Sequence, residues 1–247
     1  MTALAPYALG LFILLAYTLE AVTGFGSIVI ALSLGALLLP IDQLLPVLVP
    51  LNIGMTGYLA WQHRAQIDLT LLLGSILPGM LVGTLLGYWL LPWLDAGLLK
   101  RGFGVLILWF AGRELWRLRR ASTLPQRPAW LTRLITLGAG LSHGLFASGG
   151  PLLVFGLTGT HLDKARLRAT LVSVWFTLNS LLTLAFLLDG RLIPALPQVL
   201  GYAPLLLLGV WFGERLHRRF DERHFRIAIY ILLLATGILL LAPWRLP

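Results

Sequence analysis

Residues 142–156 read SHGLFASGGPLLVFG and bring an imidazole, a hydroxyl and two glycines before a proline into an otherwise apolar stretch. His143 can take up and release a proton near neutral pH. Ser148 supplies a hydroxyl, and Gly149 and Gly150 let a ligand approach the backbone closely. Pro151 suits the first position of a helix, where its missing N–H would have had no partner in any case. The pattern predicts a helix that breaks at the glycines and restarts near Pro151. Its free N–H groups and partial positive charge then point at the break, which suits an anion. Residues 20–27, EAVTGFGS, repeat the design near the N-terminus. Glu20 stands where His143 stands, and Thr23, Gly24, Phe25, Gly26 and Ser27 form a second break.

Uncharged polar side chains accompany the breaks. Asn52 and Thr56 share a helical face, and Thr170, Ser173, Thr177 and Ser180 fall within about 80° of one another on a helical wheel. Such amide and hydroxyl donors suit an anion that must bind and then leave, although Ser and Thr also serve as interhelical hydrogen-bonding groups in membrane bundles. The expected substrate contacts are therefore Thr23, Gly24, Phe25, Gly26, Ser27, Asn52, Thr56, Ser148, Gly149, Gly150, Pro151, Ser173 and Thr177. Glu20 and His143 are expected to couple transport to protons, since ionisable groups inside a membrane are functional candidates by default. Sodium is the alternative driving ion. A second reading makes Ser148 the nucleophile of an intramembrane hydrolase with His143 as its base. That reading lacks a downstream helix carrying the base.

These residues require a membrane scaffold. Of 247 residues, 58% are hydrophobic and 12% charged, with a mean hydropathy of +0.86. Long apolar runs recur to the end of the chain without the two-residue alternation of a barrel strand, so the expected class is an all-α polytopic membrane protein. The absence of cysteine excludes disulfides and thiolate metal sites, and no metal site or cofactor is expected. The net charge of +9 reads as arginines anchoring cytoplasmic loops, not as nucleic-acid binding.

Eight hydrophobic blocks can be drawn, at about 6–39, 43–62, 69–94, 98–118, 131–160, 167–188, 193–216 and 225–241. A basic, proline-containing linker at 119–130 divides repeat A (1–118) from repeat B (131–247). At an offset of 126, Pro78, Gly83, Gly87 and Asp95 align with Pro204, Gly209, Gly213 and Asp221. At 123, Glu20 aligns with His143 and Gly26 with Gly149; at 121, Asn52 aligns with Ser173 and Thr56 with Thr177. A duplicated membrane unit is the mark of a transporter. If the first and fifth blocks each enter and return, fifteen of the nineteen Lys and Arg fall on the side of the linker. If every block crosses once, nine fall on the linker's side and ten on the other, with no bias. The first arrangement obeys the positive-inside rule. It places the linker in the cytoplasm and both termini in the periplasm, inverts the two halves, and brings the two breaks together as one anion site.

The ordered motifs GFGS, SGGP and the repeated P-x4-G-x3-G (residues 78–87 and 204–213) resemble the TauE/SafE sulfite-exporter-like permeases over nearly the whole chain. Ser27 and Ile28 depart from the pattern, where more glycine or a following proline would be usual. The resemblance implies a secondary transporter of the bacterial inner membrane that moves sulfite, sulfonates or related small organic anions. The alternative cargo is another small carboxylate driven by sodium. The implied partners are the small anion, the lipid bilayer and the coupling ion, with no oligomeric state assigned.

Overall fold

The computed structural model describes residues 4–23, 26–119, 128–157, 163–217 and 222–242. The described residues form ten helices: α1 (Ala5–Thr23), α2 (Ser27–Gly35), α3 (Ile41–Gln62), α4 (Leu69–Trp93), α5 (Ala96–Arg119), α6 (Ala129–Phe146), α7 (Gly150–Gly156), α8 (Lys164–Leu188), α9 (Leu192–His217) and α10 (Glu222–Leu241). By length and composition, α3, α4 and most of α8 and α9 can each cross a membrane, and shorter apolar helices lie at Ala5–Glu20 and Ile227–Leu241. The linker's central residues, 120–127, lie outside the described residues, as do Gly24 and Phe25 and the side chain of Thr23.

The first and fifth blocks are broken helices. α1 stops at Thr23 and α2 begins at Ser27. α6 stops at Phe146 and α7 begins at Gly150, with Pro151 in its first turn. Each second piece folds back along the first. Side-chain positions on Gly149 and Gly156 face His143 and Ile135 respectively, so α7 retraces α6, and Gly35 at the end of α2 packs against Leu9 near the start of α1. With 7 residues, α7 is about 10 Å long, against a hydrocarbon core of about 30 Å. By itself it is too short to span, and it forms a helical hairpin with α6.

The chain forms two compact units, and each draws on both halves of the sequence: residues 1–45, 94–122 and 202–247 in one, 46–93 and 123–201 in the other. Packing therefore does not follow the division at the linker. In the second unit α4 crosses α6 through glycines on both sides. A Cβ on Gly83 would come within 2.8 Å of the Gly140 Cα, and one on Gly144 within 2.9 Å of the Gly87 Cα. Four small residues at four-residue spacing let the two backbones touch, and close backbone packing is what holds helices together in lipid. In the first unit Gly209 of α9 meets α1, where a Cβ would lie 2.9 Å from the Tyr17 Cβ and 3.1 Å from the Thr18 nitrogen. The sequence offsets of 126 and 123 carry Gly83 onto Gly209, and Tyr17 and Thr18 onto Gly140 and Leu141. The residues that touch Gly83 thus correspond to the residues that touch Gly209.

Pro78 leaves its own mark on α4. It has no N–H for the Gly74 carbonyl, and the helix widens to a π-turn at Leu72–Ile76 just before it. Leu72, Ile76, Leu77 and Met80 then form the core of the second unit with Ala139, Leu153, Leu157, Val174 and Leu178. This core carries the α6–α7 break.

Candidate functional site

His143 sits one turn before the end of α6, on the helix that Gly140 and Gly144 press against α4. It is 1% exposed. Its ring stacks on Trp175 of α8, with centroids 5.8 Å apart and planes 20° from parallel. Trp175 also reaches the start of α7, since a Cβ on Gly150 would lie 3.3 Å from its indole. The tryptophan therefore links the histidine to the break. Asn179, one turn further along α8, comes close enough to the imidazole to interact with it, yet neither ring nitrogen makes a hydrogen bond. The Asn179 Nδ2 donates to Asn52 Oδ1 of α3 at 2.8 Å, and both residues are buried. Phe176 packs over Gly57, where a Cβ would come within 2.9 Å of its ring, so glycine holds α3 and α8 at this spacing. The result is a polar line from α6 through α8 to α3, enclosed by apolar side chains.

The break is strained at one residue. Ala147 has φ 49°, and its N–H donates to the His143 carbonyl at 2.6 Å. A side chain in the left-handed region costs about 1–2 kcal/mol. The turn that ends α6 is thus held by its surroundings, and such strain gathers at functional sites. Ser142 donates to the Ser148 carbonyl at 3.3 Å, and Ser148 Oγ donates to the Phe146 carbonyl at 2.9 Å. The serine proton goes to the backbone and not to His143, so the pair is not arranged as nucleophile and base.

Several expected donors are occupied. Thr56 donates to the Asn52 carbonyl at 2.8 Å, Ser173 to Ala169 at 3.0 Å and Thr177 to Ser173 at 2.9 Å. Where lipid offers no water, a hydroxyl satisfies itself on the carbonyl one turn back. Each of these three hydroxyls donates within its own helix. Gly149 is closely packed. A Cβ there would overlap the Ala139 carbonyl and touch His143 and Met80, so its missing side chain serves the fold of the hairpin. Gly26 has φ 99° and nothing within 4 Å of its side-chain position, and Ser27 behind it is buried. Glu20 is buried in α1, in the first unit, whereas His143 belongs to the second.

Sequence reasoning missed Asn179, Trp175 and Thr183. A single Asn in an apolar helix was the available signal, because an amide buried in lipid needs a partner. Glu114 of α5 was missed as well; it is buried and bridged by Arg113 at 2.6 Å and Arg117 at 2.9 Å on its own helix. A further ion pair lies at the start of α8, where Arg166 meets Asp68 at 3.4 Å beside a cleft of about 480 Å³ that Thr70 and Ser75 also line.

Comparison with known proteins agrees with this architecture. The sulfite exporter TauE/SafE family matches residues 9–240. The probable inner membrane transporter protein TsaS of Comamonas testosteroni is 30% identical over 176 residues, covering 70% of this chain and 73% of that protein. No solved structure matches the chain. An all-α scaffold with apolar helices long enough to cross a membrane, matched over nearly its whole length, identifies a multi-pass membrane transporter and not an enzyme: the chain belongs to the sulfite exporter TauE/SafE family.

Proposed function

We propose that the protein is a secondary transporter that moves a small oxyanion, sulfite or a related sulfonate, across the bacterial inner membrane together with a proton. The observation that carries this reading is His143, fully buried beside a helix break with both ring nitrogens open. Buried polar groups are as a rule hydrogen-bonded, so an imidazole without a close partner is a candidate for binding a ligand. The family match supplies the substrate class. The matching contacts of Gly83 and Gly209 support a duplicated unit, and the arginine distribution supports its inversion, an architecture that suits alternating access. The linker is cytoplasmic and both termini periplasmic in this reading, which follows the arginine distribution.

A thermal-shift panel on purified protein tests the reading. Potassium sulfite, sulfate, methanesulfonate, acetate and chloride are compared at matched ionic strength. A ligand that binds only the native state raises the melting temperature. Sulfite or methanesulfonate should raise it in the wild type and not in His143→Ala. No shift with any oxyanion would contradict the proposal.

A further inference from the structure

The buried cluster around His143 offers an uneven set of hydrogen-bonding positions. Trp175, Asn179 and Thr183 recur every four residues and share one face of α8. On this face and its neighbour four buried atoms lack partners: Nδ1 and Nε2 of His143, Oδ1 of Asn179 and Oγ1 of Thr183. Thr170, Ser173 and Thr177 of α8 each donate to the carbonyl one turn back; Thr183 Oγ1 makes no such bond. The Asn179 amide is oriented by its bond to Asn52 at 2.8 Å, which leaves its oxygen as the open end. A neutral imidazole supplies one donor and one acceptor, the threonine a donor, and the asparagine an acceptor. The site therefore gives hydrogen bonds and also demands one.

Charge narrows the ligand. α6 brings His143 and Ser142 to the cluster, α3 brings Asn52, and α8 brings Trp175 and Asn179, with Thr183 one turn beyond Asn179 on the same face. α4 lays Met80 and Thr84 along α6, and α7 carries no charged residue. The titratable group further along α4, Tyr88, is engaged with Asp189 and Arg191. Among the described residues just named no cation stands ready to neutralise an anion and no carboxylate to neutralise a metal ion, and among all the described residues no group of metal-ligating side chains occurs. The cost of removing an ion from water rises with the square of its charge, so a dianion costs about four times as much as a monoanion.

We propose that this cluster binds the singly protonated form of a small oxyanion, hydrogen sulfite being the type, so that the substrate itself carries the transported proton. This rests on the reading of the protein as an oxyanion transporter. The ligand's O–H donates to Asn179 Oδ1, and its remaining oxygens accept from Thr183 and His143. A sulfonate matches the charge but has no proton to give, and it leaves the asparagine oxygen facing an anion. An unsatisfied buried acceptor of this kind weakens binding about 10- to 100-fold. Sulfate matches in neither respect.

The test is titration calorimetry on the full-length protein in lipid nanodiscs, with potassium salts, at one pH below and one above the second ionisation of sulfurous acid. Sulfite affinity should fall with the fraction of hydrogen sulfite. Methanesulfonate should bind about 10- to 100-fold more weakly, with no pH dependence. Thr183→Val keeps the Asn52–Asn179 pair and should weaken both ligands. Asn179→Leu should weaken sulfite and bring the two affinities together. Equal binding of sulfite and methanesulfonate would overturn the inference while leaving oxyanion transport intact. So would a shared pH dependence, which would assign the proton to the protein. Binding heat on titrating sodium chloride without an oxyanion, absent with potassium chloride, would make the cluster a cation site and overturn it too. Absence of binding by any oxyanion would instead remove the functional reading beneath it. Should Asn179→Leu fail to fold, the sulfite-to-methanesulfonate ratio and its pH dependence in the wild type decide the matter.

Discussion

Asn179 donates to Asn52 across 2.8 Å, joining α8 to α3 beneath His143. Both amides are buried, so removing either one strands the other. Asn52→Leu and Asn179→Leu should each lower stability by about 1–3 kcal/mol. The double variant should lose less than the sum, with a coupling of about 0.5–2 kcal/mol. A double-mutant cycle on thermal unfolding measures this, and strict additivity would show that the bond contributes nothing.

The glycine crossing of α4 and α6 predicts a sharp contrast between glycines. Gly83, Gly87, Gly140 and Gly144 face backbone atoms of the opposing helix, while Gly54, Gly112 and Gly138 have nothing within 4 Å of their side-chain positions. Gly83→Val or Gly140→Val should destabilise by about 1–3 kcal/mol or prevent folding. Gly54→Ala and Gly112→Ala should be neutral or stabilise by up to about 1 kcal/mol. Melting temperatures of the purified variants distinguish the groups.

The breaks themselves were legible in the sequence because glycine and proline report on the backbone directly. TGFGS and SGGP mark the ends of α1 and α6, and Pro151 marks the start of α7. The landmarks at constant offset anticipated which glycines would meet equivalent partners, as at Gly83 and Gly209. The side-chain chemistry was harder to read. A helical wheel places Ser173 and Thr177 together, but it does not show that each hydroxyl donates within its own helix. Asn179 and Thr183 lie on a different stripe, four residues apart from Trp175, and only the approach of α6 gives that stripe meaning. Gly149 packs against Ala139, a contact that could not be read from the sequence, because an absent side chain does not say what fills its place.

Left-handed backbone at the two breaks leads to opposite outcomes. Ala147 has φ 49° and Gly26 φ 99°. Ala147→Gly should relieve about 1 kcal/mol of strain, partly offset by the lost methyl contacts, and leave the fold intact. Gly26→Ala should cost about 1–2 kcal/mol, although the space beside it is open. Thermal unfolding of both variants checks the signs.

A pH prediction concerns the loop after α8. Asp189 accepts from Arg191 Nε at 2.7 Å and from the Tyr88 hydroxyl, and the Arg191 guanidinium lies 5.1 Å from the Tyr88 and Phe186 ring centres. Burial raises the carboxyl's pKa, but the hydrogen bonds from Arg191 and Tyr88 outweigh it and hold the group below its usual range. The folded pKa lies below the unfolded one, so the stabilisation is complete above the unfolded value. It disappears as pH falls through the folded value. The pair is partly open to solvent, which limits its contribution to about 1 kcal/mol or less. Wild type and Asp189→Asn should differ by a constant amount down to about pH 5 and converge below about pH 4. Melting temperature against pH measures this.

The central claim, that a small oxyanion crosses through the His143 cluster, is tested most directly by flux. Purified protein in liposomes, loaded with sulfite and diluted into sulfite-free buffer, is followed by external sulfite and internal pH. The account predicts saturable efflux accompanied by proton movement, abolished by His143→Ala and strongly reduced by Thr183→Val, with both variants folded by thermal unfolding. Efflux no faster than from empty liposomes, or equal efflux through wild type and folded His143→Ala, would contradict it.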